Sequence, residues 1–469
     1  MNSAGRTASQ LPPEFIEALQ QCAGPDNVLL DIADRIPYGY DNSRRQQDPD
    51  VVVFATDHAQ IREIVRLCNR YMIPLVARGR GTGTTGATVP VRGGLVLSLE
   101  RMQQIVRVDP ANRLMVVQPG VTNQNVQEAA AKVGFFWPPD PTSAEFCTIG
   151  GNLAYNSAGP RAVKYGTPRD NTLGLSAITG DGKEIRTGVY TTKGVIGYDL
   201  TRLIIGSEGT LAIITEATLK LTPLAQAKRT LQVIYSDIHS AAAAVSAIMA
   251  QAVTPCSLEF IDATAIEMIR DYSDVDLPRS AGAMLMIEVD GPEACLELSV
   301  HSVSEAAKND GMLSLHMAAT AEESRALWQT RKALSPALRK IAPKKINEDV
   351  VVPVSNIPAL IDGLQLLSKE YGITIVNFGH AGNGNIHVNL LIDPDDPTQT
   401  ENADACLSRV FDLVLSLQGT LSGEHGVGLV KREFVGREIE PATLDLMRRI
   451  KQQFDPNNIL NPDKMFPVE

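Results

Sequence analysis

Cysteine patterns that bind clusters or metals are missing from this chain. Its six cysteines, Cys22, Cys68, Cys147, Cys256, Cys295 and Cys406, are scattered singly and form no C-x-x-C pair. This spacing argues against an iron–sulfur cluster, a cysteine-ligated zinc site and a disulfide scaffold, and it is compatible with a reducing compartment. Dense lysine or arginine blocks are also missing, and the formal net charge is -11. A nucleic-acid partner is therefore not expected, because phosphate binding requires clustered positive charge.

Long apolar runs are lacking as well. No run approaches the roughly 18–20 residues that a helix needs to span a bilayer. Residues 1–12 do not show the basic and then apolar pattern of a signal peptide. We therefore expect a cytoplasmic protein without a transmembrane segment, and peripheral attachment to the inner membrane face stays open.

The length of 469 residues and the hydrophobic content of 44% predict two domains. Strands at 51–55 and 74–77 flank a helix that is capped by Thr56 or Asp57 and ends near 71. Further strands are expected at 95–99, 114–118, 203–205, 211–215 and 217–221, with a helix at 123–133 that Gly134 ends. Residues 148–174 are rich in Gly, Asn and Pro and show little periodicity, so we expect irregular structure there.

The character of the sequence changes at 223–227. Strands at 229–235, 256–260, 283–289 and 313–317 alternate with helices at 238–252, capped by Asp237, and at 292–309. This β-α-β-β-α-β order predicts a ferredoxin-like layer with its helices on one face of an antiparallel sheet. Another strand–helix–strand series follows at 350–392.

A glycine-rich loop occupies residues 78–86, with the letters R-G-R-G-T-G-T-T-G. It contains a literal G-x-G-x-x-G, but a Rossmann site requires this motif to open a helix, and here Pro90 and a glycine pair follow. Closely spaced glycines allow backbone N–H groups to approach a phosphate together. The loop therefore predicts a pyrophosphate cradle without a helix, and the alternative is a flexible turn.

Three of the seven histidines lie near the C-terminus. Strands are expected at 373–378 and 385–392, and a hairpin with the turn signal Asn383-Gly384 is expected to bring His380 and His387 close together. His425 follows in S-G-E-H-G-V-G at 422–428. Two histidines and a carboxylate are a recognised catalytic metal set. The alternative is that the histidines cap turns or fill a polar pocket.

Strand alternation places further groups beside these histidines. Asn389 shares a strand face with His387 and is expected to contact substrate or metal. If residues 424–425 are extended, Glu424 and His425 point in opposite directions, so that one can bind a metal while the other faces a substrate. Histidine suits general-base catalysis near neutral pH.

Several segments together resemble one family. The glycine loop is similar to the pyrophosphate loop of the vanillyl-alcohol oxidase type of FAD proteins. P-P-D-P at 138–141, C-T-I-G-G-N-L-A at 147–154 and G-S-E-G-T-L-A-I-I at 206–214 resemble flavin-contacting stretches of the glycolate oxidase/D-lactate dehydrogenase branch. F-D-P-N-N-I-L-N-P-D-K at 454–464 resembles its closing segment, with Asp463 where the family usually has Gly. The resemblance covers nearly the whole chain.

The resemblance implies an α+β protein with a two-part FAD-binding domain of the vanillyl-alcohol oxidase type and a ferredoxin-like cap. The expected segments are 1–225 for FAD binding, 226–430 for the cap with its metal site, and 431–469 for the return to the FAD domain. No histidine stands in the glycine loop, so we expect non-covalent FAD. The expected FAD contacts are Arg78, Gly79, Gly81, Thr82, Gly83, Pro139, Thr148, Gly150, Gly151, Asn152, Gly209, Ile213 and Asn461.

The resemblance also assigns roles near the C-terminus. His380, His387 and Glu424 match the family's ligands for a divalent metal, expected to be Zn²⁺ with Mn²⁺ as the alternative; Asn383 replaces a family Asp that is not a ligand. His425 matches the catalytic base. Arg331 matches the arginine that binds the substrate carboxylate, and its alternative is a solvated charge on a helix face.

The activity implied is an FAD-dependent dehydrogenase that oxidises a D-2-hydroxy acid to the 2-keto acid. The metal assists proton abstraction, and a hydride passes to flavin N5. D-lactate is favoured over D-2-hydroxyglutarate because Asn347 stands where relatives acting on the latter have a lysine; Lys344 and Lys345 are out of register. Glycolate stays open.

The electron acceptor is expected to be external, either a quinone, a cytochrome or an electron-transfer flavoprotein. Direct use of oxygen and a homodimeric state stay open. Two rival functions are a non-catalytic flavin-binding accessory subunit and a metal-dependent hydrolase. The accessory subunit would lack the metal and base motifs, and the hydrolase leaves the glycine loop unexplained.

Overall fold

The computed structural model describes residues 11–270, 277–342 and 344–467. The chain divides into two compact units. The first contains the chain up to Ala158, Gly166–Leu224 and the part from Glu424 onward; the second contains Gly159–Tyr165 and Ala225–Gly423. Within the described residues, no helix has both the length and the apolar character needed to cross a membrane.

The helices and strands follow one another along the whole chain. The helices are α1 (Pro13–Ala23), α2 (Ile32–Arg35), α3 (His58–Tyr71), α4 (Asn123–Ala131), α5 (Ile149–Tyr155), α6 (Ala162–Tyr165), α7 (Leu200–Ile204), α8 (Ile238–Ala250), α9 (Ala263–Arg270), α10 (Glu293–Ala307), α11 (Ala321–Ile341), α12 (Ile357–Tyr371), α13 (Pro397–Ser416), α14 (Val435–Glu438) and α15 (Pro441–Phe454). The strands are β1 (Val28–Leu29), β2 (Val51–Phe54), β3 (Leu75–Arg78), β4 (Leu95–Ser98), β5 (Ile105–Asp109), β6 (Leu114–Val117), β7 (Phe135–Phe136), β8 (Thr172–Thr179), β9 (Glu184–Gly188), β10 (Ala212–Lys220), β11 (Thr222–Pro223), β12 (Ala227–Tyr235), β13 (Ser257–Asp262), β14 (Ala283–Gly291), β15 (Met312–Met317), β16 (Lys344–Val351), β17 (Thr374–His380) and β18 (Asn385–Ile392). Single 3-10 turns lie at Pro25–Asn27, Ile36–Tyr38, Pro110–Asn112, Val354–Asn356, Ala381–Asn383 and Arg432–Phe434.

The first unit begins with a four-stranded sheet in the order β1-β2-β4-β3, in which β2, β4 and β3 run parallel. Their runs of Val and Leu are buried, as expected for parallel strands that are covered on both faces. The predicted β-α-β unit is confirmed, and the Asp57 side chain caps α3 by accepting a hydrogen bond from Gln60 N. The C-terminal segment returns to this sheet, because Leu460 pairs with Leu75 of β3 in a parallel bridge.

The second sheet of this unit is antiparallel, with five strands in the order β5-β6-β10-β8-β9. Residues 211–221 were predicted as two strands, but they form one strand, β10, with irregular pairing near Ile214. The strand predicted at 203–205 is wrong, because these residues continue helix α7 and the turn after it. A short apolar run does not distinguish strand from helix, and here Asp199 decides by accepting a hydrogen bond from Arg202 N.

The irregular structure predicted for 148–174 is also incorrect in part. Helix α5 lies within it, and the Thr148 side chain caps the helix by accepting a hydrogen bond from Gly151 N. Its two glycines lower helix propensity, so local pattern alone does not reveal the helix. The N-cap and the burial of Ile149 and Leu153 stabilise it.

The second unit is built on one antiparallel sheet of seven strands, in the order β15-β12-β14-β13-β17-β18-β16. Strands β12, β13, β14 and β15 have the order of a ferredoxin-like layer, and β17, β18 and β16 extend it. The two predicted helices of this layer, α8 and α10, pack against each other and against β12 and β14, as expected, whereas α11, which follows the predicted run, packs on the other face. The Tyr235 hydroxyl donates a hydrogen bond to the Ala307 carbonyl of α10, whereas the neighbouring Ile234 packs with Leu334 and Leu338 of α11. Since adjacent strand residues point to opposite faces, α10 and α11 cover different faces.

A buried ion pair stabilises the C-terminal segment of the first unit. Lys451 of α15 pairs with Asp455, which is 1% exposed and also accepts hydrogen bonds from Ile459 N and Leu460 N. We expect Asp455→Ala to lower the free energy of unfolding of this unit by about 3–5 kcal/mol, because it leaves a buried ammonium without its partner. Urea unfolding measures this loss, with the release of bound flavin as the signal of unfolding.

The matched control for this pair is Asp445→Ala. Asp445 pairs with Arg449 at 3.0 Å in the same helix and at the same spacing, but both side chains are 65% exposed. Its loss is expected to change the free energy by no more than about 1 kcal/mol. Equal effects of the two substitutions would contradict the role given to burial.

Candidate active site

The first unit contains an open cavity of about 630 Å³, a volume that includes the solvent space at its mouth. Its wall is largely apolar, with backbone glycines and few charged groups, as is typical of cofactor sites. Elements β3, α5 and β10 and the loop at 206–209 form it. The lining residues are Ala77, Arg78, Gly79, Ala87, Thr88, Leu99, Pro119, Thr148, Gly150, Gly151, Ala154, Tyr155, Ile204, Ser207, Glu208, Gly209, Ala212, Ile213 and Ile214.

Glycine is required at this wall because the backbone approaches its neighbours closely. A Cβ on Gly79 would lie 2.4 Å from Thr148 Oγ1, and one on Gly150 would lie 2.7 Å from Pro119 Cβ. Gly209 has a φ of +72°, and a Cβ there would meet no atom within 4 Å among the described residues. The backbone at Gly209 therefore faces open space in the wall of the cavity, where a bound group can approach it.

Seven of the predicted FAD contacts line this cavity, namely Arg78, Gly79, Thr148, Gly150, Gly151, Gly209 and Ile213. The Arg78 guanidinium is buried and donates hydrogen bonds to the Tyr40 carbonyl at 2.7 Å and the Pro37 carbonyl at 3.3 Å. Arg78 therefore holds the segment that contains Pro37 and Tyr40 against β3.

The other predicted contacts do not line this cavity; they are Gly81, Thr82, Gly83, Pro139, Asn152 and Asn461. Gly81 has a φ of +65° and lies against the Arg78 guanidinium. The carbonyls of Thr82 and Gly83 accept hydrogen bonds from Asn42. These contacts hold the glycine loop in place.

Asparagine side chains connect the remaining predicted positions. Asn123 Nδ2 donates to the Pro139 carbonyl and to Asn152 Oδ1, at 3.0 and 3.1 Å. Asn461 Nδ2 donates to the carbonyls of Ala87 and Glu208, which both line the cavity. Asn461 thus brings the C-terminal segment to the wall of the cavity without being part of it.

Glu208 is a residue that our sequence reasoning did not single out, although it stands in the quoted G-S-E-G segment. Its buried carboxylate accepts hydrogen bonds from Val427 N and Gly428 N, at 2.5 and 2.8 Å. Burial raises the pKa of this carboxyl above its usual value, against the lowering effect of these two donors. Thr85 Oγ1 donates to the His425 carbonyl at 3.2 Å. The loop that carries His425 is therefore attached to the cavity wall and to the glycine loop.

In the second unit, the predicted hairpin of β17 and β18 brings the two histidines together. Phe378 is the register partner of His387, and His380 is that of Asn385. The imidazole rings of His380 and His387 lie edge to face, with centroids 5.2 Å apart. Because the side chains at 378, 380, 385 and 387 occupy pleat positions of one face, both rings project from the same side of the sheet.

Glu424 follows Gly423, whose N–H donates to Asp349 Oδ2 at 2.9 Å. Asp349 is itself the register partner of His387. Glu424 is the carboxylate that the sequence predicts as the third ligand beside His380 and His387. Two imidazole nitrogens and a carboxylate oxygen are a donor set that fits Zn²⁺ or a similar divalent ion, whose ligands bind at about 2.0–2.2 Å.

Asn389 and Arg331 both make contacts within the second unit. Asn389 is fully buried: its Nδ2 donates to the Val376 carbonyl at 3.1 Å, and its Oδ1 accepts from Asn347 Nδ2 at 2.6 Å. The Arg331 guanidinium lies over the Phe378 ring, with Cζ 4.6 Å from the centroid. Its Nε and Nη2 contact Glu259 Oε2 at 3.0 and 2.8 Å, and Nη1 is not part of this pair.

Comparison with known proteins identifies the class. Residues 49–188 match the FAD binding domain family, and residues 224–465 match the family described as FAD linked oxidases, C-terminal domain. The chain belongs to the FAD-linked oxidases, and it is an FAD-dependent oxidoreductase of the glycolate oxidase and D-lactate dehydrogenase type. These matches give no support to the alternative of a metal-dependent hydrolase.

Individual relatives extend over nearly the whole chain. The glycolate oxidase subunit GlcD of Bacillus subtilis (strain 168) is 40% identical, with 96% of each chain covered. The D-lactate dehydrogenase of Anaerostipes hadrus is 31% identical, with coverage of 97% of this chain and 98% of the relative. A structure of p-cresol methylhydroxylase with bound substrate aligns at a TM-score of 0.80 with 20% identity, covering 98% and 99% of the two chains. This structural likeness confirms the fold of the vanillyl-alcohol oxidase type.

We expect Gly79→Ala to weaken FAD retention about tenfold or more. The new methyl group would overlap Thr148 Oγ1, and relieving such overpacking typically costs about 1–3 kcal/mol. Thr148 also caps α5, so its displacement would disturb the wall of the cavity. The measurement is the ratio of flavin to protein absorbance after dialysis, followed by titration with FAD.

Gly291→Ala is the control for this substitution. Gly291 ends β14, and a Cβ there would meet nothing within 4 Å among the described residues. This variant should retain FAD as the wild type does. Unchanged FAD affinity in Gly79→Ala would contradict the assignment of this cavity to the flavin.

Proposed function

We propose that this protein oxidises a small D-2-hydroxy acid, D-lactate foremost, to the corresponding 2-keto acid. The observation that carries the proposal is the pair of neighbouring imidazole rings of His380 and His387, in a chain that also has a glycine-lined cavity. We assign the metal, Zn²⁺ or Mn²⁺, to these two histidines and Glu424, and the FAD to that cavity. The binding of FAD is non-covalent, since the glycine loop has no histidine.

In this proposal, the flavin, the metal and His425 have different roles in the oxidation of the substrate. FAD, when bound, accepts the hydride that leaves C2. A divalent metal would lower the pKa of the C2 hydroxyl. His425 takes the proton from that hydroxyl as the general base. The contacts of the 425–428 loop with Glu208 and Thr85 support this role, because they restrict where the imidazole can lie.

Arg331 binds the substrate carboxylate in this proposal. A planar guanidinium pairs well with a carboxylate, and Nη1 lies outside its pair with Glu259. Asn389 supports the site indirectly, because both ends of its amide form hydrogen bonds within the sheet, with Asn347 and with the Val376 carbonyl. We therefore assign Asn389 to the positioning of β18 beside its neighbours.

D-2-hydroxyglutarate is a second candidate substrate, and one observation favours it. Lys345 lies two residues before Asn347 in β16 and so occupies the same face of the strand. Its ammonium is a possible partner for a distal carboxylate. D-lactate stays the first candidate because the position expected to bind that carboxylate carries Asn347, whose amide is neutral and donates to Asn389.

Anaerobic spectroscopy of the purified holoprotein tests the proposal. The flavin should bleach with D-lactate and not with L-lactate, and it should bleach more slowly with glycolate. Faster bleaching with D-2-hydroxyglutarate, abolished by Lys345→Met, would replace D-lactate with the second candidate. A flavin that no 2-hydroxy acid reduces would overturn the proposed function.

The reduced flavin must then pass its electrons on. We assign this step to an external acceptor, either a quinone, a cytochrome or an electron-transfer flavoprotein. Reoxidation of the D-lactate-reduced enzyme by a soluble quinone analogue, compared with air, tests this assignment. Faster reoxidation by air would favour an oxidase.

A further inference from the structure

Glu259 is a buried carboxylate that no sequence motif marks. It stands in β13, directly opposite His380 of β17 in the strand register, and it is 1% exposed. A buried carboxylate is costly unless it is paired and hydrogen-bonded. Its partners therefore indicate why it is there.

Each oxygen of Glu259 has its own partner. Oε1 lies 2.5 Å from His380 Nδ1, and Oε2 accepts a hydrogen bond from Arg331 Nε at 3.0 Å and forms an ion pair with Nη2 at 2.8 Å. The 2.5 Å contact places the Glu259 carboxyl to accept a hydrogen bond from the Nδ1–H of His380.

This contact selects one tautomer of the imidazole. With Nδ1 donating to Glu259, the lone pair of the ring lies on Nε2, which is then the nitrogen that can bind a metal. Carboxylates commonly hold metal-binding histidines in this way, and they both orient the ring and raise its basicity. The same carboxylate holds Arg331 over the Phe378 ring.

We propose that Glu259 is a positioning residue with two effects. It orients His380 for the metal, and it holds Arg331 for the substrate carboxylate. This inference rests on the proposed function, in which His380 is a metal ligand and Arg331 binds the substrate. The alternative is a purely structural role, in which Glu259 forms an ion pair that neutralises the charge of Arg331 inside the second unit.

Glu259→Gln separates the two possibilities. A glutamine keeps the size but offers one acceptor, so it serves either Arg331 or His380. We expect metal affinity to fall about 10- to 100-fold, as is typical when such a partner of a metal-binding histidine is lost. The readout is competition between the protein and a zinc chelator, which requires no turnover. KM for the substrate should rise as well, because Arg331 loses its fixed orientation.

Glu288→Gln is the matched control. Glu288 lies in the neighbouring strand β14 on the same face, is 7% exposed, and accepts hydrogen bonds from Lys228 Nζ and Trp328 Nε1 at 3.1 Å each. It has no histidine partner among the described residues, so its variant should lose stability without losing metal affinity. Glu259→Asp serves as a second variant, because it keeps the charge beside Arg331 and withdraws the carboxylate from His380.

The outcomes are distinct. Weaker metal binding in Glu259→Gln and Glu259→Asp, with normal binding in Glu288→Gln, supports the proposal. Unchanged metal affinity in either Glu259 variant overturns it and leaves the ion pair as structural. If the wild type binds no divalent metal, or if His387→Ala binds metal as tightly as the wild type, it is the proposed metal site itself that fails.

Discussion

His425→Gln is expected to slow anaerobic flavin reduction by about 100- to 10,000-fold while FAD stays bound. A positioned general base contributes an acceleration of this size, and glutamine cannot take the proton. The substitution leaves three backbone contacts of the 425–428 loop in place. They are made by the carbonyl of His425 and by the N–H groups of Val427 and Gly428. The loss should therefore lie in the chemical step and leave KM and flavin content nearly unchanged.

Stopped-flow measurement of flavin bleaching with D-lactate gives the rate of this step. His239→Gln is the control, because His239 is 64% exposed on the surface of the second unit and pairs only weakly with Asp362, at 3.2 Å. It should reduce its flavin at the wild-type rate. A reduction rate of His425→Gln within about threefold of the wild type would show that another group removes the proton.

Removal of the divalent metal is expected to lower kcat/KM by about 100-fold or more without bleaching the flavin spectrum. Loss of several kcal/mol of charge stabilisation corresponds to such a factor, at about 1.4 kcal/mol per tenfold change. Dialysis against a chelator should produce the loss, and Zn²⁺ or Mn²⁺ should restore activity. The ion that restores it most effectively identifies the metal.

His387→Ala should reproduce the metal-free state and resist restoration, because it removes one of three ligands. His316→Ala is the matched control, since His316 is half-exposed and pairs with Glu323 away from the three residues. The control should keep both metal and activity. Full activity of the chelator-treated enzyme, with metal absence verified by elemental analysis, would remove the metal from the mechanism.

Local sequence signals were sufficient wherever a short segment determines its own structure. The Asn383-Gly384 turn placed His380 and His387 on facing strands, and the hairpin is present at the predicted position. Asp57 and Asp237 cap helices α3 and α8 as expected, because an N-cap requires only its own side chain and an N–H three residues on. The regular β-α-β-β-α-β spacing likewise predicted the ferredoxin-like order of four strands.

Local signals failed where distant contacts decide. The run at 203–205 has the composition of a strand, yet it ends a helix whose cap is Asp199. The glycines of α5 disfavour a helix, yet this helix forms with its cap and buried side chains. Packing on the second face of the cap sheet depends on α11, whose residues contact strands that lie far away in the chain.

The sequence by itself determined the class of this protein, because residue types in fixed short spacings identify a glycine loop, a histidine pair and the segments of an FAD-linked oxidase. Only the tertiary structure showed what stands behind those residues. Glu259 is 121 positions from His380 and Glu208 is 219 positions from Val427, and each is recognised by the group it faces. The physical reason is that a buried carboxylate acquires its role from the donors that compensate its burial, and these donors come from parts of the chain that only folding brings together.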